Sequence, residues 1–446
     1  MPRFERDLGP ALESAAATLL ATSVILTAFG SSSVAGLTDV GRPLRWVALF
    51  LLGATAAALA LVSRHGRPGR LLAHLAAVAL GLGALAIVSA GYSIEPRLSL
   101  ERGVSFLFAV STASLLGYAA EVRPGLTRLL LAGALAGTIA AAAGGLLVYA
   151  FAPSDAVQHA LPDVPPRWRG LGENPNTISL LAAVGIGGAA WFAATSDRWR
   201  AIWVAGAAGL AVTILASGSR GAFVAGVGGM VVVAATLPPR RRRRLGLTAA
   251  TIAVAAIGVV AVDAIAKPGK FAAAAQSSPP TTKPSGSGSG AGSGAGSGNA
   301  GPPAPPARTF TSVGSSGRID AWRLAFHIGN GRPALGYGFG TEETVFGPSR
   351  FQNFQGRRPE NSFLGLYLQL GAAGVLLLFG ALLAIAVSVF VAFRQRVSEA
   401  PALAGVLVGA AALLFVQSYV YSVGNVATMI FWISAMLMAA RAGASR

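Results

Sequence analysis

Long apolar runs recur along the whole chain and limit what it can fold into. A helix needs about 20 apolar residues to cross the hydrocarbon core of a bilayer. The chain is 53% hydrophobic and only 12% charged, whereas a soluble domain carries roughly 25% charged residues. The pattern predicts an all-α polytopic membrane protein with about twelve transmembrane helices, placed approximately at 11–30, 44–62, 71–91, 103–120, 126–152, 177–195, 199–217, 220–237, 245–266, 362–393, 402–421 and 424–441.

Arginines between the apolar runs predict how the chain is oriented in the bilayer. Cytoplasmic loops are enriched in basic residues. A cytoplasmic N-terminus puts at least two arginines in every inside segment, including the consecutive run Arg240–Arg244. Both termini are therefore expected in the cytoplasm. That arginine run is read as an orientation signal, with binding of anionic lipid headgroups as the alternative.

The charge and the residue content also exclude some classes of function. The net charge of +18 is dispersed between apolar runs, which favours membrane orientation and membrane lipid as a partner over nucleic acid. The chain has no cysteine, so disulfides and thiolate metal sites are excluded. We expect neither a metal nor a cofactor.

A long hydrophilic loop interrupts the apolar runs on the predicted outer side. Its first part, 276–307, is nearly all Ser, Gly, Pro, Ala and Thr and predicts a disordered tether, whereas 314–361 predicts an ordered part. The loop divides the chain into three predicted domains, which are transmembrane helices 1–9 (1–266), the extracytoplasmic loop (267–361) and transmembrane helices 10–12 (362–446).

The ordered part of the loop is predicted to begin with a short surface helix from about Arg318 to Ile328. Ile319, Trp322 and Phe326 fall on one side of it and predict an apolar face against the membrane surface or the tops of the spans. The alternating glycines of LGYGFG, 335–340, predict a turn whose backbone approaches another segment closely. A nucleotide site is not favoured, because no βαβ unit surrounds the glycines.

Three arginines on the outer side are candidates for binding a phosphate group, namely Arg169, Arg220 and Arg318. Arginine presents a planar fork to phosphate and stays charged when partly desolvated. Arginines that converge at the outer leaflet would fit a diphosphate headgroup. The alternative for each one is a salt bridge or a contact with backbone carbonyls.

Glu360 is the candidate general base. It stands at the mouth of a membrane segment, where a charged residue is costly and is a functional candidate by default. The alternative is that Glu360 pairs with Arg357 or Arg358. Its neighbour Asn361 is expected either to support the site or to cap the helix that follows.

Four short motifs, in this order, resemble the O-antigen ligase/polymerase family. They are RGLGENPN (169–176), SRGA (219–222), GRIDAW (317–322) with LGYGFG (335–340), and ENSFLGLYLQLG (360–371). The resemblance implies a GT-C-like integral membrane glycosyltransferase of the bacterial cytoplasmic (inner) membrane. Its donor would be an undecaprenyl-diphosphate-linked glycan and its acceptor a glycan or a lipid, with no nucleotide sugar.

The same resemblance implies roles for individual residues. Arg169, Arg220 and Arg318 would hold the donor diphosphate, with support from Asn174, Asn176 and Asn361. Ligases of the family often carry a histidine where this chain has Glu360. A carboxylate can still deprotonate an acceptor hydroxyl, so Glu360 is the expected catalytic residue, and ligase and polymerase activity both stay open.

A transporter or flippase of a lipid-linked glycan or another envelope precursor is the main alternative, and a non-catalytic membrane scaffold is another. A transporter is typically marked by polar groups in mid-membrane and by interrupted helices in paired positions. Here the apolar runs are nearly free of charge and the polar groups gather on one side. This distribution favours chemistry at a membrane face.

Overall fold

The computed structural model describes residues 3–63, 67–158, 167–265, 318–347 and 358–444. The predicted tether at 276–307 lies outside the described residues, and so does Arg357, one of the two arginines expected as alternative partners of Glu360.

The described chain is almost entirely helical, as expected where lipid offers the backbone no hydrogen bonds. The helices are α1 (Arg3–Gly30), α2 (Ala35–Val62), α3 (Arg70–Val88), α4 (Pro96–Val122), α5 (Pro124–Phe151), α6 (Pro153–Ala156), α7 (Pro175–Thr195), α8 (Arg200–Ala216), α9 (Arg220–Thr236), α10 (Pro239–Ile265), α11 (Arg318–Gly329), α12 (Glu342–Phe346), α13 (Ser362–Arg394), α14 (Ala400–Leu413) and α15 (Thr428–Gly443). Two short strands, β1 (Val157–Gln158) and β2 (Arg167–Trp168), pair antiparallel.

Among the described helices, 7 are long and apolar enough to cross a membrane, namely α1 to α5, α7 and α13. Four shorter helices, α8, α9, α14 and α15, are also apolar. The prediction of an all-α polytopic membrane protein is therefore confirmed. Helices α7 and α15 form the buried centre, since nearly every residue of both is shielded by the surrounding helices.

The chain differs from the prediction where continuous spans were expected at 402–421 and 424–441. Helix α14 already ends at Leu413, and α15 begins only at Thr428. The irregular segment between them, 414–427, is held by the protein. Tyr419 and Val420 are fully buried, and their carbonyls accept hydrogen bonds from Thr428 and Trp432. Non-helical backbone at membrane depth is tolerated in such buried places or beside a cavity, so hydropathy alone could not locate this break.

The LGYGFG segment docks into a break in α13. Gly371 has φ +60 and interrupts the helix, which frees two carbonyls and two N–H groups of the surrounding turn. The segment 333–338 satisfies all four through the bonds Tyr337 N to Leu368 O (2.9 Å), Gly338 N to Gln369 O (2.9 Å), Ala372 N to Pro333 O (2.8 Å) and Ala373 N to Ala334 O (3.2 Å). The turn that the alternating glycines predict, with its backbone close to another segment, is therefore present beside the break in α13.

Helix α11 lies where the surface helix was predicted, but it packs on a different face. Ala321 and Ala325 are fully buried against Phe346 and Leu368, because small residues let helix backbones approach closely. Ile319 and Phe326 of the predicted apolar face are each more than half exposed, so this face is not the one buried against the helix bundle, and its contact with the membrane surface stays a prediction. Trp322 is partly buried and donates from its ring N–H to the Pro359 carbonyl at 2.9 Å.

Candidate functional site

A cavity of about 430 Å³ opens at the end of the helix bundle opposite Arg240–Arg244. It lies where α2, α4 and the start of α7 meet the residues before α13 and the irregular segment 414–427. Its volume falls in the range typical of small-ligand sites. The charged residues that line it are Arg45, Glu101, Arg102, Glu173, Glu343, Arg358 and Glu360.

Glu360 is a buried carboxylate at the wall of this cavity. Its side chain is 8% exposed, and one carboxylate oxygen accepts a hydrogen bond from Arg318 at 2.9 Å. Burial raises the pKa of Glu360 above its ordinary value, while the positive charges of Arg318, Arg167 and Arg358 oppose this rise. The group is therefore an acid whose proton affinity depends on the arginines around it.

The backbone of Glu360 is also strained. Its φ of +49 lies in the left-handed region, which a residue other than glycine rarely adopts. Such a conformation costs on the order of 1–3 kcal/mol and persists only where the surroundings enforce it, commonly at functional sites. The residues on either side of Glu360 are fixed by hydrogen bonds, since the Pro359 carbonyl accepts from the Trp322 ring N–H. Asn361 caps α13 by accepting from the N–H groups of Phe363 and Leu364.

A second acid, Glu342, is the centre of a buried hydrogen-bond network beside the cavity. Its carboxylate accepts from Ser418 at 2.7 Å, from Tyr421 at 3.0 Å and from Gln369 at 3.2 Å. Burial raises the pKa of Glu342, and the charge of Arg358 opposes the rise most strongly among its neighbours. The network fastens the irregular segment 414–427 to α12 and α13.

Arg358 connects the two acidic parts of the site. Its Nε donates to Glu343 at 2.7 Å, and its positive charge lowers the pKa of both Glu342 and Glu360. One third of its side chain is exposed, so the guanidinium stands at the cavity surface. The alternative predicted from the sequence was a pair between Glu360 and Arg357 or Arg358. In the described part of the chain Glu360 pairs instead with Arg318, and Arg358 pairs with Glu343.

The three arginines predicted to bind phosphate occupy different positions. Arg318 pairs with Glu360. Arg169 is half-buried and donates from Nε to the Asp155 carbonyl at 2.9 Å. Its burial lowers its pKa, and the nearby charge of Asp155 opposes that effect. Arg220 is the exposed first residue of α9.

Arg167 was not selected from the sequence as a site residue, although it lies two positions before Arg169. Its charge acts on Glu360 and lowers the pKa of that carboxyl. The guanidinium is oriented by donating to the Ser217 carbonyl at 2.8 Å and to the Asn176 side chain at 3.3 Å. These bonds connect β2 to the first turn of α7 and to the residue that follows α8.

The three asparagines predicted to support the site act on backbone or on arginine. Asn174 caps α7 by accepting from the N–H groups of Asn176 and Thr177. Asn176 is buried and accepts from Arg167. Asn361 caps α13 and donates to the Phe415 carbonyl at 3.2 Å. All three thus help to hold the starts of α7 and α13 in place beside the cavity.

Other cavity residues had weaker sequence signals. Glu342 and Glu343 directly follow the LGYGFG segment in the ordered loop. Arg45 and Arg102 are charges near the ends of apolar runs, which is itself a signal of function in membranes. These four residues come together because α2, α4 and the loop pack on one another, and hydropathy contains no information on that packing.

The helices and the cavity together define the class of this protein as a polytopic membrane protein with a charged site at one end of its helix bundle. Residues 205–379 match the model of the O-antigen ligase family (Wzy_C). This segment is thus similar to the O-antigen ligase family, and the resemblance seen in the motifs is confirmed. Its function is glycosyltransferase-like, in envelope glycan assembly. No curated protein matches the chain.

Proposed function

We propose that the protein transfers or polymerises a glycan from an undecaprenyl-diphosphate-linked donor on the outer face of the bacterial cytoplasmic membrane. The observation that carries the proposal is the buried, strained Glu360 carboxylate at the cavity wall, hydrogen-bonded to Arg318. The family match at 205–379 supports glycan transfer. The position of the cavity opposite Arg240–Arg244 supports the outer face, because basic segments favour the cytoplasm.

In the proposed reaction Glu360 is the general base. It accepts the proton of an acceptor hydroxyl as the hydroxyl oxygen bonds to the anomeric carbon of the donor glycan. The bond between that carbon and the diphosphate oxygen breaks, and its electron pair leaves with undecaprenyl diphosphate. Arg318, with Arg169 and Arg220, stabilises the negative charge of the leaving group through forked hydrogen bonds.

The ion pair between Glu360 and Arg318 gives this mechanism a way to activate the base. A donor diphosphate would compete with the carboxylate for the guanidinium of Arg318. Once Arg318 turns to the phosphate, Glu360 loses its strongest opposing charge, and burial raises its pKa further. The base would then bind protons more strongly when the donor is in place.

Reconstitution of the full chain in proteoliposomes tests this function. The liposomes receive undecaprenyl-diphosphate-linked glycan and acceptor fractions from the source membranes, and mass spectrometry follows the release of undecaprenyl diphosphate and the growth of the acceptor. Wild-type protein should release the lipid diphosphate and extend the acceptor. Movement of the lipid-linked glycan across the bilayer without release would instead identify a flippase. The lipid-linked glycans that accumulate after gene deletion would then identify the donor.

A further inference from the structure

Three residues that line the cavity have no part in the proposed transfer reaction, namely Arg45 and Trp46 of α2 and Arg102 of α4. All three precede the segment that matches the family, 205–379, so the match does not account for them. We call these three residues the α2–α4 subsite.

Arg45 lies within a helix that meets the criteria for a membrane span, Gly36–Val62. Its neighbours Leu44 and Val47 are exposed on the outside of the bundle, as expected of residues that face lipid, whereas Arg45 lines the cavity. An ionisable residue inside a span is costly and marks a functional site by default.

Arg45 lacks the partners that a structural arginine has. Among the residues that the structure describes, no carboxylate pairs with it, and its buried Nε has no hydrogen-bond acceptor. Three of the four acids that line the cavity are paired with other arginines, since Glu101 pairs with Arg97, Glu343 with Arg358 and Glu360 with Arg318. The fourth, Glu173, is exposed and forms no ion pair with Arg45. A buried donor without an acceptor destabilises the folded protein, and an anionic ligand would remove that cost.

The two other members of the α2–α4 subsite indicate what kind of anion fits. The Trp46 ring is partly exposed and lies 5.4 Å from the Arg45 guanidinium carbon, measured to the ring centroid. An aromatic face can take the C–H groups of a sugar ring, while the guanidinium takes its oxygens. Arg102 adds a second positive charge and is held by a 2.6 Å hydrogen bond to the Gly340 carbonyl.

We propose that the α2–α4 subsite binds a negatively charged substituent, a carboxylate or a phosphate, on a sugar of the acceptor glycan. That the bound glycan is the acceptor rests on the proposed transferase function, in which Arg318, the partner of Glu360, binds the donor diphosphate. The binding itself does not depend on turnover. It selects acidic sugars over neutral ones, because both arginines favour negative charge.

Binding to the full-length protein in nanodiscs of phosphatidylcholine tests the proposal. Saturation-transfer NMR measures the binding of glucuronate, glucose 6-phosphate and neutral glucose, with inorganic phosphate added as a competitor. We expect an acidic sugar to bind at least tenfold more tightly than glucose, a factor in the range of one charge-assisted hydrogen bond. Tighter binding of glucuronate would identify the substituent as a carboxylate, and tighter binding of glucose 6-phosphate would identify it as a phosphate.

Variants test whether the binding occurs at the α2–α4 subsite. Arg45→Gln should weaken binding of the acidic sugar about tenfold or more, and Trp46→Ala should weaken it independently. Arg45→Lys keeps the charge and should retain part of the affinity, which excludes simple misfolding. The matched control is Arg42→Gln, which removes the same charge from an exposed position of the same helix outside the cavity lining.

Several outcomes would overturn the proposal. They are equal binding of glucose and the acidic sugars, unchanged binding in Arg45→Gln, and inorganic phosphate that binds as tightly as glucose 6-phosphate. The binding assay and the transfer assay can fail independently, and Glu360→Gln allows binding to be measured without turnover. If this variant binds the acidic sugar normally while the wild type transfers no glycan, the subsite stands and the transferase fails. If wild type transfers glycan but ignores acidic sugars, the subsite alone is wrong.

Discussion

The Glu360 carboxylate accepts a 2.9 Å hydrogen bond from Arg318, a residue 42 positions earlier in the chain. This bond joins the first turn of α11 to the residue that precedes the cap of α13. The Trp322 ring N–H, bonded to the Pro359 carbonyl at 2.9 Å, makes a second connection between the same two elements. The surface helix is therefore part of the candidate site, and its position controls the charge around Glu360.

Glu360→Gln should abolish most glycan transfer while the donor still binds. Glutamine keeps the shape and the hydrogen-bonding capacity of the side chain but cannot accept the hydroxyl proton. The expected loss is roughly 10²- to 10⁴-fold in turnover, the usual contribution of a general base. The measurement is the release of undecaprenyl diphosphate from proteoliposomes under single-turnover conditions.

The matched control for this variant is Asp320→Asn. Asp320 is an exposed acid on α11 with a long 3.8 Å contact to Arg323, and its neutralisation should leave turnover unchanged. Glu360→His would introduce the residue that is usual in ligases of the family and should keep part of the activity. Transfer by Glu360→Gln at the wild-type rate would mean that Glu360 serves only to hold Arg318.

Removing Arg318 should change the pH dependence of transfer. Burial raises the pKa of Glu360, and Arg318 is the strongest of the charges that oppose this rise. Arg318→Ala therefore raises the pKa of Glu360 further. Since a general base must be ionised, the acid limb of the pH–rate profile should move to higher pH. The readout is the pH at which that limb lies. The rate itself is not informative, because loss of a phosphate-binding arginine lowers the rate at every pH.

Arg323→Ala controls for the loss of a positive charge from the same helix. Its guanidinium is 80% exposed and contacts only the exposed Asp320 among the ion pairs described here. The acid limb of this variant should coincide with that of the wild type. An unchanged limb in Arg318→Ala would show that another group sets the pH dependence.

Much of the fold could be predicted because hydropathy and charge act locally. Runs of apolar residues identified the helices, and helix α11 begins at Arg318, as expected. The face on which α11 packs against the protein was not predicted, since Ala321 and Ala325 permit a closer backbone contact than the larger Ile319 and Phe326. Size complementarity with Phe346 and Leu368 decides that choice, and a periodicity argument contains no such information.

The site was harder to predict than the fold. Glu360 was selected from its position at a membrane mouth. Glu342 was missed, because its buried role depends on Ser418 and Tyr421, which lie more than 70 positions later in a segment that hydropathy assigns to a helix. Arg167 was passed over for Arg169, since the sequence does not show which of two neighbouring arginines turns toward Glu360.

Substitutions of the arginines near β2 should show which one serves the reaction. Arg167 acts electrostatically on Glu360, whereas Arg169 donates to the Asp155 carbonyl. We therefore expect Arg167→Gln to reduce transfer at least as strongly as Arg169→Gln. A large loss in Arg169→Gln with normal activity in Arg167→Gln would favour the assignment made from the motif. Protein levels in the membrane must be equal for this comparison.

Arg220→Lys tests the diphosphate site in a different way. Lysine keeps the positive charge but loses the planar fork that matches phosphate. If Arg220 binds the donor diphosphate, the variant should insert normally and require more donor for half-maximal transfer. Wild-type turnover in Arg220→Ala, at normal protein levels, would remove Arg220 from the site.

Single cysteines can establish the orientation of the chain, because the protein has none of its own. His327 on α11 and Arg243 on α10 are exposed and are expected on opposite sides of the membrane. An impermeant maleimide should label His327→Cys in intact cells and Arg243→Cys only after the membrane is opened. The reverse pattern would invert the predicted topology and place the cavity in the cytoplasm.

Gly371→Ala should destabilise the protein where α13 is interrupted. Gly371 has φ +60, and a methyl group there would lie 2.5 Å from the Ala334 carbonyl oxygen. Backbone strain alone costs on the order of 1–3 kcal/mol, and the contact adds to it. Because the docked segment also places Gly340, whose N–H donates to Gln369 beside Glu342, transfer should fall even below the melting temperature.

Gly81→Ala is the matched control for this change. Gly81 lies in α3 with no atom within 4 Å of an added methyl group, and alanine in a helix is favoured over glycine by roughly 0.5–1 kcal/mol. Thermal unfolding in detergent should therefore show a lower Tm for Gly371→Ala and an unchanged or higher Tm for Gly81→Ala. If the two variants melt together and transfer equally, the break in α13 does not hold the cavity in shape, and the network around Glu342 must be supported from the 414–427 segment alone.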